Sequence, residues 1–264
     1  MKIGFIGSGN MAKALMKGIL DKGISSNEEI ISSDIFPEAL EFVKKEYSIK
    51  TTEDNKEVVR NSEIIFLAVK PQIMNEVLEG IKEEINEQLI VSIAAGVTLK
   101  QIEKVLEGKK IIRVMPNTPC LVGEMAAGFS VNEFVNEEEL KKIETVLRCS
   151  GVAYNLEEKD LDAVTGLSGS GPAFVARLIE AFTEAGIENG LDKDVAYSLS
   201  LKTFLGTAKL LEEKGLEAGK LGEMVSSPNG TTVAGREILE SSDYKEIIKK
   251  TINRAKERSI ELGE

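Results

Sequence analysis

Six residues near the amino end, Gly7-Ser8-Gly9-Asn10-Met11-Ala12, constrain this chain more than any other feature. They form a G-x-G-x-x-A pattern. An apolar, β-prone run over residues 2–6 leads into it, and Met11, Leu15 and Ile19 follow at helical spacing over residues 10–20. A glycine turn between a strand and a helix is the setting in which this pattern binds a dinucleotide pyrophosphate. Gly7 permits the tight turn, Gly9 lets the backbone approach the phosphates, and Ala12 lets the helix pack on the strand. The phosphates then meet free N–H groups at the positive end of the helix dipole. Ile6, Gly7, Ser8, Gly9, Asn10 and Met11 are therefore candidate cofactor residues.

Strand-like runs recur at residues 30–34, 64–69, 89–93 and 111–115, with amphipathic stretches at 73–85 and 99–106 between them. Strands alternating with helices of this length imply right-handed βαβ crossovers and a parallel sheet. Two further short strands are expected at 126–131 and 152–155, flanking a helix at 137–148. After about Asp160 no strand-like run returns, and helical patterns occupy 171–189, 194–214 and 244–263. The expected fold is α/β: an N-terminal Rossmann-type parallel-sheet domain over residues 1–160, then an all-α domain over 161–264. The helix at 171–189 carries Ala173, Ala176, Ala181, Ala185 and Gly186, small residues that allow close helix approach. Three helices have little interior of their own, so this half is expected to hold together a homodimer.

Composition narrows the chemistry. The net charge of −11 over 264 residues argues against a nucleic-acid partner, whose affinity comes from lysine and arginine on phosphates. Two cysteines, Cys120 and Cys149, cannot build a disulfide framework or a Cys-rich zinc site, and no metal site is expected. There is no histidine, which excludes a Ser-His-Asp triad and any imidazole acid or base. No apolar run approaches the roughly 20 residues that span a bilayer, and no cleavage-site pattern follows Met1. A cytoplasmic protein without a membrane partner is expected.

Other motifs fall where a doubly wound sheet places its ligands, at strand carboxyl ends. Asp34 ends the second strand, where an acid bonds a ribose 2′-hydroxyl and favours NAD. Ser32 and Ser33 beside it offer hydroxyls to a 2′-phosphate instead, so NAD(H) and NADP(H) both stay open. Ala68-Val69-Lys70-Pro71 aims Lys70 toward the same edge, with Pro71 keeping it out of helical geometry. Ala94-Ala95-Gly96 would let a flat ring lie close to the backbone. The two prolines of Met115-Pro116-Asn117-Thr118-Pro119 stiffen a loop that reads equally as a cofactor wall or a structural turn.

Two motifs lie further on. Thr165-Gly166-Leu167-Ser168-Gly169-Ser170-Gly171-Pro172 resembles a nucleophile elbow but lacks a histidine partner, so its glycines fit a close-packed helix start or a cleft floor. Ser226-Ser227-Pro228-Asn229-Gly230-Thr231-Thr232 precedes a helix-like run. One hydroxyl would cap that helix; four, with glycine and free N–H groups, suit a carboxylate.

Taken together, the residues at 4–12, 68–71, 115–119, 165–174 and 226–232 resemble the pyrroline-5-carboxylate reductase family over essentially the whole length. The resemblance implies NAD(P)H-dependent reduction of the cyclic imine 1-pyrroline-5-carboxylate to L-proline, the last step of proline biosynthesis. It also implies an intertwined helical dimer that in many members assembles into a decamer. By the family pattern Asn55 lies near the adenine ribose and Ser33 near its 2′ position, while Ala68, Val69, Lys70 and Ala95 line the cofactor cleft. Ser227, Gly230, Thr231 and Thr232 hold the substrate, with Thr232 closest to the ring nitrogen as the catalytic residue. Glu158 falls where some members place an acid near the substrate. Asn229 stands where glycine is usual, and Met224 where some members have asparagine.

A protonated cyclic imine is already strongly electrophilic, so a histidine-free chain suits its reduction. Two other readings stay open. A related imine or 3-hydroxyacid oxidoreductase is one, although a hydroxyacid dehydrogenase needs a base on the helix after residue 165, which has Arg177 and Glu180 but no lysine. The other is a non-catalytic dinucleotide-binding regulator, for which loss of Thr231 and Thr232 would argue.

Overall fold

The computed structural model describes residues 1–263, which divide into two compact units: Met1–Ser170 with the segment from Asn253 onward, and Gly171–Ile252. The first unit holds one eight-stranded sheet. Its strands are β1 (Ile3–Ile6), β2 (Ile30–Ser33), β3 (Lys50–Thr52), β4 (Ile64–Leu67), β5 (Leu89–Ser92), β6 (Lys110–Met115), β7 (Met125–Val131) and β8 (Gly151–Asn155). The order is β3-β2-β1-β4-β5-β6-β7-β8. The strand sequence reverses at β1 and β4, so the switch point that receives ligands in such sheets lies at their carboxyl ends.

The strands are connected by α1 (Asn10–Asp21), α2 (Pro37–Tyr47), α3 (Asn55–Arg60), α4 (Met74–Ile81), α5 (Leu99–Glu103) and α6 (Glu137–Arg148), and α7 (Leu161–Val164) follows β8. Every residue of β1, β2, β4 and β5 is buried, as expected of parallel strands covered on both faces. Alternate side chains divide between two cores. Phe5, Ile64, Phe66 and Val91 join Leu15 and Ile19 of α1 and Leu147 of α6. Ile6, Ile65, Leu67 and Ile90 join Val58 of α3, Leu78 of α4 and Ile102 of α5. Phe5 and Phe66 stack with ring centroids 4.9 Å apart.

One pairing departs from the expected parallel sheet. β7 runs antiparallel to β6, and β8 then pairs parallel with β7. The connection over residues 116–124 holds only a 3₁₀ turn, too short for the dozen or more residues of a parallel crossover.

The second unit contains α8 (Gly171–Glu188), α9 (Lys193–Lys214), α10 (Ala218–Met224), α11 (Thr231–Ser241) and the start of α12 (Tyr244–Gly263). α8 and α9 approach closely: a Cβ at Gly186 would lie 3.1 Å from Ala196 Cβ, and Phe182 meets Phe204 edge to face at 5.0 Å. Thr183, Ala196, Ser200 and Leu221 are the only buried residues among those described in this unit. Phe182, Tyr197, Leu199 and Leu205 are exposed.

The two compact units divide at Ser170/Gly171. α7 packs under β7, where a Cβ on Gly128 would come within 2.8 Å of Val164, and this keeps residues 161–170 with the sheet. The end of α12 also belongs there: Ser259 Oγ donates to Asp162 Oδ1 at 2.7 Å and Gln101 Nε2 to the Gly263 carbonyl at 3.3 Å. Among the described residues no helix is long and apolar enough to cross a membrane, and no group of three or more His, Cys, Asp or Glu is placed to hold a metal ion.

Candidate active site

The glycine turn sits at the switch point. Gly7 has φ +101°, and a Cβ there would meet the Ala68 carbonyl oxygen at 2.5 Å, so both conformation and space require glycine. A Cβ at Gly9 would meet nothing within 4 Å. Gly9 is the N-cap of α1, with no side-chain cap and no acid in the first turn. Among the described residues the N–H groups of Gly9, Asn10 and Met11 have no protein acceptor. A diphosphate fits this cradle.

Around the turn the structure gathers most of the candidate cofactor residues. Gly7 N–H donates to the Ser33 carbonyl at 2.8 Å, and Ala68 N–H donates to the Ile6 carbonyl at 2.8 Å. Ile6 spends its side chain in the core, leaving only its backbone to the cleft. Ser33 Oγ donates to Asn55 Oδ1 at 2.6 Å, and Ser8 and Ser32 share a hydroxyl hydrogen bond of 2.8 Å. Val69 borders the turn, Lys70 is exposed ahead of a 3₁₀ turn, and Ala95 is exposed just beyond the end of β5.

Asn117, buried after β6, accepts from Ala126 N–H at 2.9 Å and donates to the Ser168 carbonyl at 3.1 Å. A Cβ at Gly169 would lie 2.8 Å from Met115 Cε. The two motifs thus lock together, and residues 165–169 form a π-turn, an irregularity frequent at functional sites. Glu158 Oε1 accepts from Arg113 Nη1 at 3.0 Å and from Leu99 N–H at 2.7 Å. These partners were not visible in the sequence, since 45 and 59 residues separate them.

In the second unit, α10 ends at Met224 and α11 begins at Thr231. Gly230 N–H donates to the Ser227 carbonyl at 2.9 Å, closing a turn over Pro228 and Asn229. Asn229 has φ +58°, the left-handed region that glycine favours and asparagine tolerates, so its replacement of glycine costs the loop little. Gly230 leaves room for Ser227 Oγ, which would lie 2.5 Å from a Cβ there. Gly230 is also the N-cap of α11, again with no side-chain cap and no acid in the first turn.

Thr231 and Thr232 have hydroxyls without a protein partner among the described residues, whereas those of Thr145, Thr165, Thr183, Thr203 and Thr251 each donate to the carbonyl four residues back. Arg236, which sequence reasoning missed, braces this loop. Its Nη1 donates to the Gly222 carbonyl at 3.1 Å and to Ser226 Oγ at 3.0 Å, while Nε donates to Glu240 at 2.9 Å. Its place one helical turn after Thr232 was the available clue.

A sheet running 3-2-1-4-5-6 with an uncapped glycine turn at its switch point defines a dinucleotide-binding protein of the doubly wound α/β class. Comparison with known proteins narrows this. Residues 158–262 match the family described as pyrroline-5-carboxylate reductase dimerisation, and residues 2–96 match NADP oxidoreductase coenzyme F420-dependent. The pyrroline-5-carboxylate reductase of Methanosarcina acetivorans is 42% identical over 264 residues, covering 99% of this chain and 98% of its own. Among solved structures, the Coxiella burnetii pyrroline-5-carboxylate reductase superposes with a TM-score of 0.96 at 34% identity, covering 100% and 98% of the two chains. The Plasmodium falciparum pyrroline carboxylate reductase, solved with NADP bound, gives 0.87 at 32%, also over 100% and 98%. This chain belongs to the pyrroline-5-carboxylate reductase family.

Proposed function

We propose that this chain reduces the C=N bond of 1-pyrroline-5-carboxylate to give L-proline, the closing step of proline biosynthesis. The observation that carries the reading is the pair of unspent threonine hydroxyls at the glycine-capped start of α11. Its family membership agrees. A reduced nicotinamide, NADPH or NADH, supplies the hydride when bound. The N–H groups of Gly9, Asn10 and Met11 take its pyrophosphate, and Asn55, Ala68, Val69, Lys70 and Ala95 line the rest of its site, with the buried Ser33 acting through its hydrogen bond to Asn55.

Ser227, Gly230 and Thr231 receive the substrate carboxylate, helped by the positive end of α11. Thr232 donates its hydroxyl to the lone pair of the unprotonated imine nitrogen and orients it, and the nitrogen takes its proton from solvent as the hydride reaches the carbon, so no imidazole is needed. A substrate contact from Glu158 would use Oε2, since Oε1 is already shared by Arg113 and Leu99. The helical unit forms a homodimer, supported by its exposed apolar side chains and by the dimerisation match, and further assembly to a decamer completes the reading. A cytoplasmic location goes with it, on the composition and on a metabolite substrate.

Purified protein given pyrroline-5-carboxylate and reduced nicotinamide should consume the coenzyme and release proline in equal amounts. Coenzyme consumption with a 3-ketoacid but not with the imine would favour the hydroxyacid reading, and none with either would favour the regulator.

A further inference from the structure

The corner where β2 ends is acidic, and its serines are already spent. We propose that Asp34 makes this chain select NADH over NADPH, a refinement that rests on the dinucleotide reading above. The Asp34 carboxylate stands at the end of the second strand, where doubly wound folds present an acid to ribose hydroxyls. Ser8 N–H donates to Oδ2 at 2.6 Å and Phe36 N–H to Oδ1 at 3.0 Å, so both oxygens are held. Each keeps a lone pair for a hydroxyl donor.

The serines that would compete for a 2′-phosphate are fully buried. Ser32 Oγ is paired with Ser8 Oγ, and Ser33 Oγ donates to Asn55. The three turns that build the corner, residues 7–12, 33–38 and 52–56, carry Asp34, Glu38, Glu53 and Asp54 against Lys56 alone. Lys13 of α1 is taken up over the Phe42 ring at 4.1 Å. A 2′-phosphate brings roughly two more negative charges to this corner without an arginine to meet them, and like charges at contact distance cost about tenfold in affinity or more. A 2′-hydroxyl instead donates to Asp34, and loss of that donor leaves a carboxylate lone pair unmet.

Calorimetric titration of the full chain with NADH, NADPH, ADP-ribose and 2′-phospho-ADP-ribose reads binding without turnover. NADH and ADP-ribose should bind about tenfold more tightly than their 2′-phosphorylated counterparts. Asp34→Asn, which keeps an acceptor for the Ser8 N–H, and Asp34→Ser should each narrow that ratio to about threefold or less. NADPH binding as tightly as NADH in the parent overturns the proposal and leaves the dinucleotide reading standing. A tenfold preference that survives in both variants overturns the role of Asp34. Binding of neither coenzyme overturns the proposal together with the reading beneath it.

Discussion

Arg113 Nη1 lies 3.0 Å from Glu158 Oε1, the same oxygen that accepts the Leu99 N–H at the start of α5. The Arg113 side chain is only 6% exposed and that of Glu158 31%. Removing the carboxylate leaves a nearly buried guanidinium and a helix N–H without a partner. Glu158→Ala should therefore lower unfolding free energy by about 2–4 kcal/mol in denaturant titration, and Glu158→Gln, which keeps an acceptor, by about 1. If Glu158 instead serves the substrate, the glutamine variant will raise the Michaelis constant for the imine with stability intact.

Gly7 and Gly9 separate folding from binding within one turn. Gly7→Ala forces a side chain onto φ +101° and against the Ala68 carbonyl, and should cost about 2 kcal/mol or more of stability. A Cβ at Gly9 meets nothing within 4 Å, so the melting temperature of Gly9→Val should hold while dinucleotide affinity falls. Unchanged affinity in Gly9→Val would remove the pyrophosphate from this turn.

How much of this was legible beforehand depended on which residues were asked to report it. Strands buried on both faces announce themselves as unbroken apolar runs, as in Ile64-Ile65-Phe66-Leu67. β3 is Lys50-Thr51-Thr52, an edge strand without an apolar residue, and α2 buries only Val43, so neither stood out. Strand direction is invisible to a period-two pattern, which is why the reversal at β7 emerged only from the short 116–124 connection. At the site, residue types and loop positions were readable, but partnerships across the chain were not. Ser33 with Asn55, Asp34 with Ser8 and Arg236 with Ser226 are consequences of packing.

Acid stability should carry the mark of α12. Arg254 and Arg258 donate to Glu261 at 2.7 and 2.6 Å and hold its carboxyl at about 2, well below the usual range. The folded value lies below the unfolded one, so this group contributes stability above about pH 4.5 and loses it as the pH falls toward about 2. Glu261→Gln should flatten that part of an acid titration followed by circular dichroism. An unaltered acid limb would mean the two ion pairs contribute nothing at this exposed position.

Arg236 is expected to act on substrate affinity through the loop it braces. Arg236→Met keeps much of the apolar stem and removes the bonds to Gly222, Ser226 and Glu240. The Michaelis constant for the imine should rise about threefold to thirtyfold, while dinucleotide affinity in a binding titration stays at the parent value. A parallel loss of dinucleotide affinity would show that the substitution disturbs more than the 226–232 loop.

The unspent hydroxyl of Thr232 gives the sharpest test of mechanism. Thr183, Thr203 and Thr251 donate to the carbonyl four residues back, Thr207 of α9 does not, and Thr232 lies in the first turn of α11 with its hydroxyl free of any protein partner among the described residues. Thr232→Val keeps the branched shape and removes the donor. If the hydroxyl bond to the imine nitrogen strengthens as the hydride arrives, the turnover number should fall by about 10 to 10³, the range for loss of one positioned donor. Dinucleotide affinity should barely change. A turnover number within about twofold of the parent would leave Thr232 as a helix-start residue only, and a higher Michaelis constant with unchanged turnover would mean that it binds ground and transition states alike.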